Sequence, residues 1–381
     1  EDLRVFGGGG VVNPAWDEYL EGSDSEDSDD AYEMVLKEGD RQILACRHED
    51  DMSSLEVWVF EEDETRRTSG SLFVHKEVPL SAFPLATEWM DFAPEGPGAV
   101  GNLCAVSTTD PEIEVFDLDQ REILEPCMKL GGGEGGHQDA VLGLSWNRAL
   151  RNLLASSSAD TTVKVWDLAA QEALVTLEGL HTDKVQGVAF NPSEPHILLS
   201  GGFDRAVRIA DVRSPGAGGL GAKVDADVES LCWDPFHAHD FYVSTEAGLV
   251  YKFDGRKAKQ GKKMKPAWRL QAHDRPTSSI SLSAHVPGLL ATSSTDKTVR
   301  LWDVSGDKPE RLASNDFKMG AIFACTFCPD APFLLGLGGA HGEVILWDTQ
   351  MDGAVAERFQ EHLPRSLRGP GSPQKKKKKG S

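Results

Sequence analysis

No stretch of the 381 residues approaches the ~18 consecutive apolar positions of a membrane-crossing helix, and no secretory leader pattern opens the chain. No membrane partner is therefore expected. Glu1 rather than Met comes first, so residues upstream of it are expected. Cysteine is sparse: the six at 46, 104, 127, 232, 325 and 328 lack the spacing of a disulfide framework, which fits a reducing compartment. Cys325 and Cys328 make one isolated C-x-x-C. Without a second pair or a βαβ context it reads as two small residues at a strand end. The chain also lacks G-x-S-x-G, the phosphate-binding G-x-x-x-x-G-K-[ST] and H-E-x-x-H. Gly336-Leu337-Gly338-Gly339 opens no helix and is expected at a turn between strands, so it is not a dinucleotide loop. No catalytic residue, cofactor or metal is expected.

Positive charge is scarce as well. Lys and Arg number 39 against 61 Asp and Glu, a net charge of -22. Residues 1–30 hold ten acids and one base, and residues 375–381 hold five lysines, so the stretch between carries about -18. An acidic body does not suit generic DNA coating, which requires a basic face that releases counterions. It suits basic partners, or a nucleic acid met at a local basic patch.

What the sequence does contain is a repeat. SSSADTTVKVWD ends at Asp167, SGGFDRAVRIAD at Asp211 and SSTDKTVRLWD at Asp303. Weaker copies end at Asp117, Asp254 and Asp348, and the most divergent surrounds Trp58. The Trp position is filled by Trp58, Phe116, Trp166, Ala210, Phe253, Trp302 and Trp347, spaced 58, 50, 44, 43, 49 and 45 apart. An Asp lies six residues earlier in four copies (Asp110, Asp160, Asp204, Asp296), and a His lies 29 earlier in three (His137, His181, His273). An apolar residue stands 20 earlier in five: Trp146, Phe190, Trp233, Leu282 and Phe327. Chance does not fix three independent distances.

Each copy reads as four short strands with β-branched alternation, bounded by Gly, Ser, Asp and Asn turns. One such sheet cannot bury both faces, so the copies must cover one another around an axis. The period matches the ~40–45 residues of a WD40 blade. The expected fold is all-β, a seven-bladed WD40 β-propeller over 31–362, with blades ending near 58, 116, 166, 210, 253, 302 and 347. A disordered acidic leader (1–30) and a basic flexible tail (363–381) flank it. The recurring His and Asp are architectural. The Asp belongs in a tight turn, where its carboxylate accepts backbone N–H groups. In the WD-repeat family the His, Asp and Trp form a buried hydrogen-bonded set with a Ser. The resemblance implies that set around Trp166 and Trp302, with Trp347 as a further blade residue. The set must fail at Ala210, and Phe116 and Phe253 can pack but not donate. Either 354–360, as an outer strand of the last blade, or the stretch from Leu3 to Phe6 closes the ring.

Two basic features stand out. Arg256, Lys257, Lys259, Lys262, Lys263 and Lys265 follow the fifth Trp-like position and are candidate RNA or phosphate contacts. Lys375, Lys376, Lys377, Lys378 and Lys379 read as a nuclear import signal. In the leader, Ser23 has Glu26 three residues on and acids surround Ser25 and Ser28, which makes the three serines candidates for acid-directed phosphorylation.

The segments VPLSAFPLATEWMDF (78–92) and DFKMGAIFACTFCPDAPF (316–333), with the acidic leader and the repeats, resemble the periodic tryptophan protein 1 family. The resemblance covers about 31–360. It implies a nuclear and nucleolar, non-catalytic scaffold for large-subunit precursor rRNA processing and assembly. The partners implied are preribosomal particle proteins and precursor rRNA, with the chain a monomer within that larger complex. Histone H4 binding in rRNA gene chromatin is the alternative. Relatives can carry a lysine-rich insertion before the segment matching Glu134 to His137; only 131–136 stands there, so no ligand role for it carries over. An adaptor role in an enzyme complex has no supporting motif.

Overall fold

The computed structural model describes residues 4–7, 36, 40–62, 70–94, 96, 99–133, 135–259 and 264–363. Blade 1 comprises β1 (Arg4–Gly7), β2 (Arg41–Glu49), β3 (Met52–Glu62) and β4 (Gly70–Leu80). Blade 2 comprises β5 (Pro84–Met90), β6 (Leu103–Thr108), β7 (Ile113–Asp117) and β8 (Met128–Leu130). Blade 3 has β9 (Val141–Trp146), β10 (Leu153–Ser158), β11 (Val163–Asp167) and β12 (Glu172–Leu177). Blade 4 has β13 (Val185–Phe190), β14 (Ile197–Gly202), β15 (Ala206–Asp211) and β16 (Leu220–Lys223). In blade 5 these are β17 (Val228–Trp233), β18 (Asp240–Thr245), β19 (Leu249–Asp254) and β20 (Trp268–Gln271). Blade 6 runs through β21 (Ser279–Leu282), β22 (Leu289–Ser293), β23 (Val299–Asp303) and β24 (Glu310–Asn315). Among the described residues, blade 7 has β25 (Ile322–Phe327), β26 (Leu334–Gly339) and β27 (Val344–Asp348).

Every sheet is an antiparallel meander, and the first strands touch one another in the cyclic order β1, β5, β9, β13, β17, β21, β25 and back to β1. The ring therefore closes as a seven-bladed propeller with the first strands innermost. Antiparallel order puts first-to-second and third-to-fourth strand loops on one face of the disc, here the lower face. The remaining connections lie on the upper face. The Trp position falls on the third strand, so each blade ends one strand beyond the sequence repeat, as β12 shows after Trp166.

The core lies between blades rather than within them. Seven apolar clusters each bridge one pair of neighbours. At the seam of blades 2 and 3, for example, Met90, Ile113 and Leu130 meet Trp146, Leu154 and Trp166. Burial of such side chains contributes about 1.5–3 kcal/mol each. Second strands are sandwiched on both faces and read as small residues; all six positions of β10 are buried. Gly336 to Gly339 belong to such a strand, β26, and not to the expected turn. A Cβ on Gly339 would come within 2.8 Å of the Met319 carbonyl oxygen, so the close approach of neighbouring backbone explains the glycine. Cys325 is buried on β25, and Cys328 directly follows that strand.

Of the two candidates for ring closure, the C-terminal one is overturned and the N-terminal one is borne out. Residues 354–360 supply no outer strand: Gly353–Arg358 is a short helix, α1, capped by Asp352, whose side chain accepts from the Ala354 and Val355 amides. Val355, Phe359 and Leu363 pack it into the seam of blades 6 and 7. The N-terminal strand, β1, pairs with β2 as the inner strand of blade 1, so residues 4–7 belong to the propeller although they fall within the expected leader. Blade 7 stays three-stranded among the described residues. Among the described residues, its seam with blade 1 holds the buried Ile43, Ala45, Ala324 and Val344.

Candidate nucleic-acid interface

The blade markers come together as hydrogen-bonded sets inside the upper face. In blade 3, His137 Nδ1 lies 2.8 Å from Asp160 Oδ2, and its Nε2 lies 2.7 Å from Ser156 Oγ. Trp166 Nε1 donates to the same Ser156 oxygen at 2.8 Å. Blade 6 repeats this with His273, Asp296, Trp302 and a Thr in the Ser place: 2.9 Å to Asp296, 2.8 Å to Thr292, and 3.0 Å from Trp302 Nε1 to Thr292. Blade 4 corrects the expected failure. His181 still meets Asp204 at 3.1 Å and Ser200 at 2.9 Å; only the indole leg is lost with Ala210. The His, bonded through both ring nitrogens, does not depend on the Trp. Each set has the Ser–His–Asp order of a nucleophilic triad, but Ser156, Ser200 and Thr292 are sealed inside the sheets.

The Asp also secures a left-handed turn. Thr161, Arg205 and Lys297 follow the three Asp residues with φ of 72°, 57° and 74°. The carboxylate of each Asp accepts the amide two residues on, as Asp160 Oδ1 does from Thr162 N at 2.9 Å. Where the Asp is missing, after Ala247 and His341, glycine takes the turn instead, with φ of 76° at Gly248 and 73° at Gly342. Burial raises the Asp160 carboxyl, yet hydrogen bonds from His137, the Gln138 amide and Thr162 outweigh it and hold it well below the usual carboxylate range. Burial lowers His273, against the pull of Asp296. Asp110 joins no such set: no His stands opposite it, and Pro111 follows where the left-handed residue would be.

Trp347 is half-buried on β27 against Phe317, ring centroids 5.3 Å apart. Blades 2 and 5 rely on packing, as expected. Phe116 is buried in the cluster shared with blade 1, and Phe253 stacks on Phe241 at 5.2 Å beside Tyr251.

The basic loop joins β19 to β20 on the lower face of blade 5. Asp254 caps its first turn, accepting from Arg256 N at 3.1 Å and Arg256 Nε at 2.8 Å, while Lys257 Nζ lies 3.7 Å away. This fork holds Asp254 below the usual carboxylate range. The far end is pinned by Met264, which is buried and bonds Gly221 O through its amide. Lys259, between these anchors, and Lys265, directly beyond Met264, are exposed with no ion pair among the described residues. Lys262 and Lys263 lie outside the described residues, as do Ser23, Ser25, Ser28 and Lys375 to Lys379. The same capping Asp recurs at 117, 167, 211, 303 and 348, each accepting the amide two residues on. Arg213 forks onto Asp211 as Arg256 does onto Asp254, so part of the role of Arg256 is to hold its turn.

Sequence reasoning missed Trp89, the inner-strand counterpart of Trp146 in blade 2; it opposes Cys104 as Trp146 opposes Leu154. A longer first-to-second strand loop, 91–102, shifts it away from the common spacing. Also missed were Lys252, Trp268 and Asp307, which line a cleft beside the basic loop. No repeat position marks them. Asp234, His237 and Asp240 cluster nearby, but Asp234 accepts from the His237 ring and Tyr242, and Asp240 pairs with Lys252.

Comparison with known proteins agrees with this architecture. The WD40 model (WD domain, G-beta repeat) matches 130–167, 173–211 and 264–303, which hold the Asp- and His-bearing residues of blades 3, 4 and 6. An uncharacterised WD repeat-containing protein of Schizosaccharomyces pombe is 41% identical over 89% of this chain and 67% of its own length. Periodic tryptophan protein 1 homolog of Drosophila melanogaster is 33% identical over 83% of this chain and 69% of its own. Periodic tryptophan protein 1 of Saccharomyces cerevisiae is 30% identical over 91% and 70%. With its seven blades and with likeness of that extent, the chain belongs to the periodic tryptophan protein 1 family.

Proposed function

We propose that the protein is a non-catalytic scaffold of ribosome biogenesis in the nucleus and nucleolus, docking on large-subunit precursors through the lower face of blade 5. The observation that carries this reading is the lysine-bearing loop, anchored at Asp254 and Met264 on a chain of net charge -22. Anchoring holds the cations in place, and their isolation makes them a local phosphate contact rather than a general coat. Family membership supports the assignment to rRNA maturation. The sealed Ser, Thr and His side chains support a scaffold rather than an enzyme.

Crosslinking in cells followed by RNA sequencing tests it. Wild type should recover precursor rRNA, and Lys257→Ala, Lys259→Ala and Lys265→Ala together should reduce recovery several-fold. Recovery unchanged by that triple variant removes the loop from the mechanism.

The acidic composition favours a second reading, a reader of the basic histone H4 tail. Titration of an H4 peptide against a scrambled peptide of equal charge separates them; equal affinity eliminates specific reading.

A further inference from the structure

The seam between blades 5 and 6 differs from its neighbours on the lower face. Asn147, Asn191 and Ser283 directly follow Trp146, Phe190 and Leu282 and tie their blade to the next. Asn147 Nδ2 donates to Pro195 O at 2.7 Å, Asn191 Nδ2 to Ala238 O at 2.7 Å, and Ser283 Oγ to Pro332 O at 2.9 Å. The same side chains cap their own loops as acceptors. Blade 5 has Asp234 at this position. Its carboxylate caps the loop, accepting from the Phe236 and His237 amides, but carries no proton to give a carbonyl across the seam. Among the described residues, Asp234 makes no bond to blade 6.

A cleft of about 250 Å³ opens at that seam, with Lys252, Arg256, Lys257 and Trp268 from blade 5 facing Ser305 and Asp307 from blade 6. Its acids and cations pair with one another: Asp240 holds Lys252 at 3.0 Å, and Asp254 holds Arg256 at 2.8 Å with Lys257 at 3.7 Å, so a phosphate would compete with Asp254 for two cations. Trp268 is half-buried, rests on Tyr242 at 5.7 Å, and has a buried indole N–H with no hydrogen-bond partner among the described residues. Gly306, at the blade 6 rim, has open space around its Cβ position apart from Lys308 O at 3.8 Å.

We propose that this cleft takes a single nucleotide of an unpaired RNA strand. The phosphate lies against Arg256 and Lys257, the base against the Trp268 ring, and Asp307 accepts from a ribose hydroxyl or base amine. Cations beside a partly covered aromatic ring are the two elements of single-strand recognition, since every base offers a π-face whereas a duplex hides it. The proposal rests on the loop being an RNA contact and adds that the RNA is single-stranded there.

Anisotropy titrations of the full chain with oligouridylate and with an RNA duplex of equal charge test it. Wild type should prefer the single strand. Trp268→Ala should weaken single-strand binding about ten-fold and leave duplex binding unchanged, with Trp268→Phe restoring most of the loss. Gly306→Glu adds a carboxylate at the mouth without touching the core; it should weaken single-strand binding at an unchanged melting temperature. Ultraviolet crosslinking and mass spectrometry should place a uridine adduct within the cleft. Equal binding of strand and duplex by wild type overturns the cleft. So does unchanged single-strand binding in both Trp268→Ala and Gly306→Glu while the triple lysine variant still loses RNA, and that result leaves the loop reading intact. If wild type binds neither RNA, both readings fail.

Discussion

Blades 3 and 5 hold four strands together by different chemistry. Blade 3 uses a polar set, in which Asp160, His137, Ser156 and Trp166 bond one another and Asp160 secures the left-handed turn at Thr161. Blade 5 has Ala247 and Gly248 at that turn, and its Trp233, Phe241, Phe253 and Tyr251 rings pack edge-on and stacked. The polar set confines sequence to fixed positions, because each donor must find its acceptor. Aromatic packing asks only for volume and shape. Blade 5 departs from the repeat, and it is also the blade that carries the basic loop and the open seam.

The largest test of that contrast is Phe253→Ala, which removes the centre of the aromatic stack. It should cost about 3–5 kcal/mol by denaturant unfolding; a cost below about 1 kcal/mol would show that the stack does not hold blade 5. Asp160→Ala comes next. It leaves the His137 ring, the Gln138 amide and the Thr162 amide without an acceptor and should cost about 3 kcal/mol.

Acid sharpens the comparison. The folded-state pKa of Asp160 lies below its unfolded value, so its contribution is present above about pH 4 and is lost as pH falls through the folded value. Hydrogen exchange, corrected for its intrinsic pH dependence, should show β11 losing protection below about pH 4, and an Asp160→Asn variant should flatten that response. Loss of protection in β19 alone would reverse the assignment. The smallest effect is Trp166→Phe, which keeps an aromatic ring in the seam but removes one indole donor and leaves a small void. It should cost about 1 kcal/mol, as a melting curve would register; Trp302→Phe in blade 6 should match it.

The comparison also explains what could be read in advance. Blades 3, 4 and 6 were legible because hydrogen-bonded side chains repeat at fixed distances, and blade packing follows from them. Trp89 escaped because the lengthened 91–102 loop breaks the spacing while leaving the strand register intact. The persistence of the His181 set without a Trp escaped because it depends on bonds through both imidazole nitrogens, not on the residue that names the repeat. Ring closure was ambiguous because short strands and short helices of mixed polarity look alike, and the Asp352 cap with buried Val355 decided for helix. The basic loop was visible as composition. Its anchoring, and the cleft beside it, belong to tertiary contacts that no local pattern records.

The salt dependence of RNA affinity bears most directly on the role of blade 5. If Lys257, Lys259 and Lys265 meet phosphates, replacing all three by Ala should reduce the slope of log K against log salt by about 2, at roughly 0.7 per contact for a single strand. A slope identical to wild type would contradict the account, whatever the change in affinity.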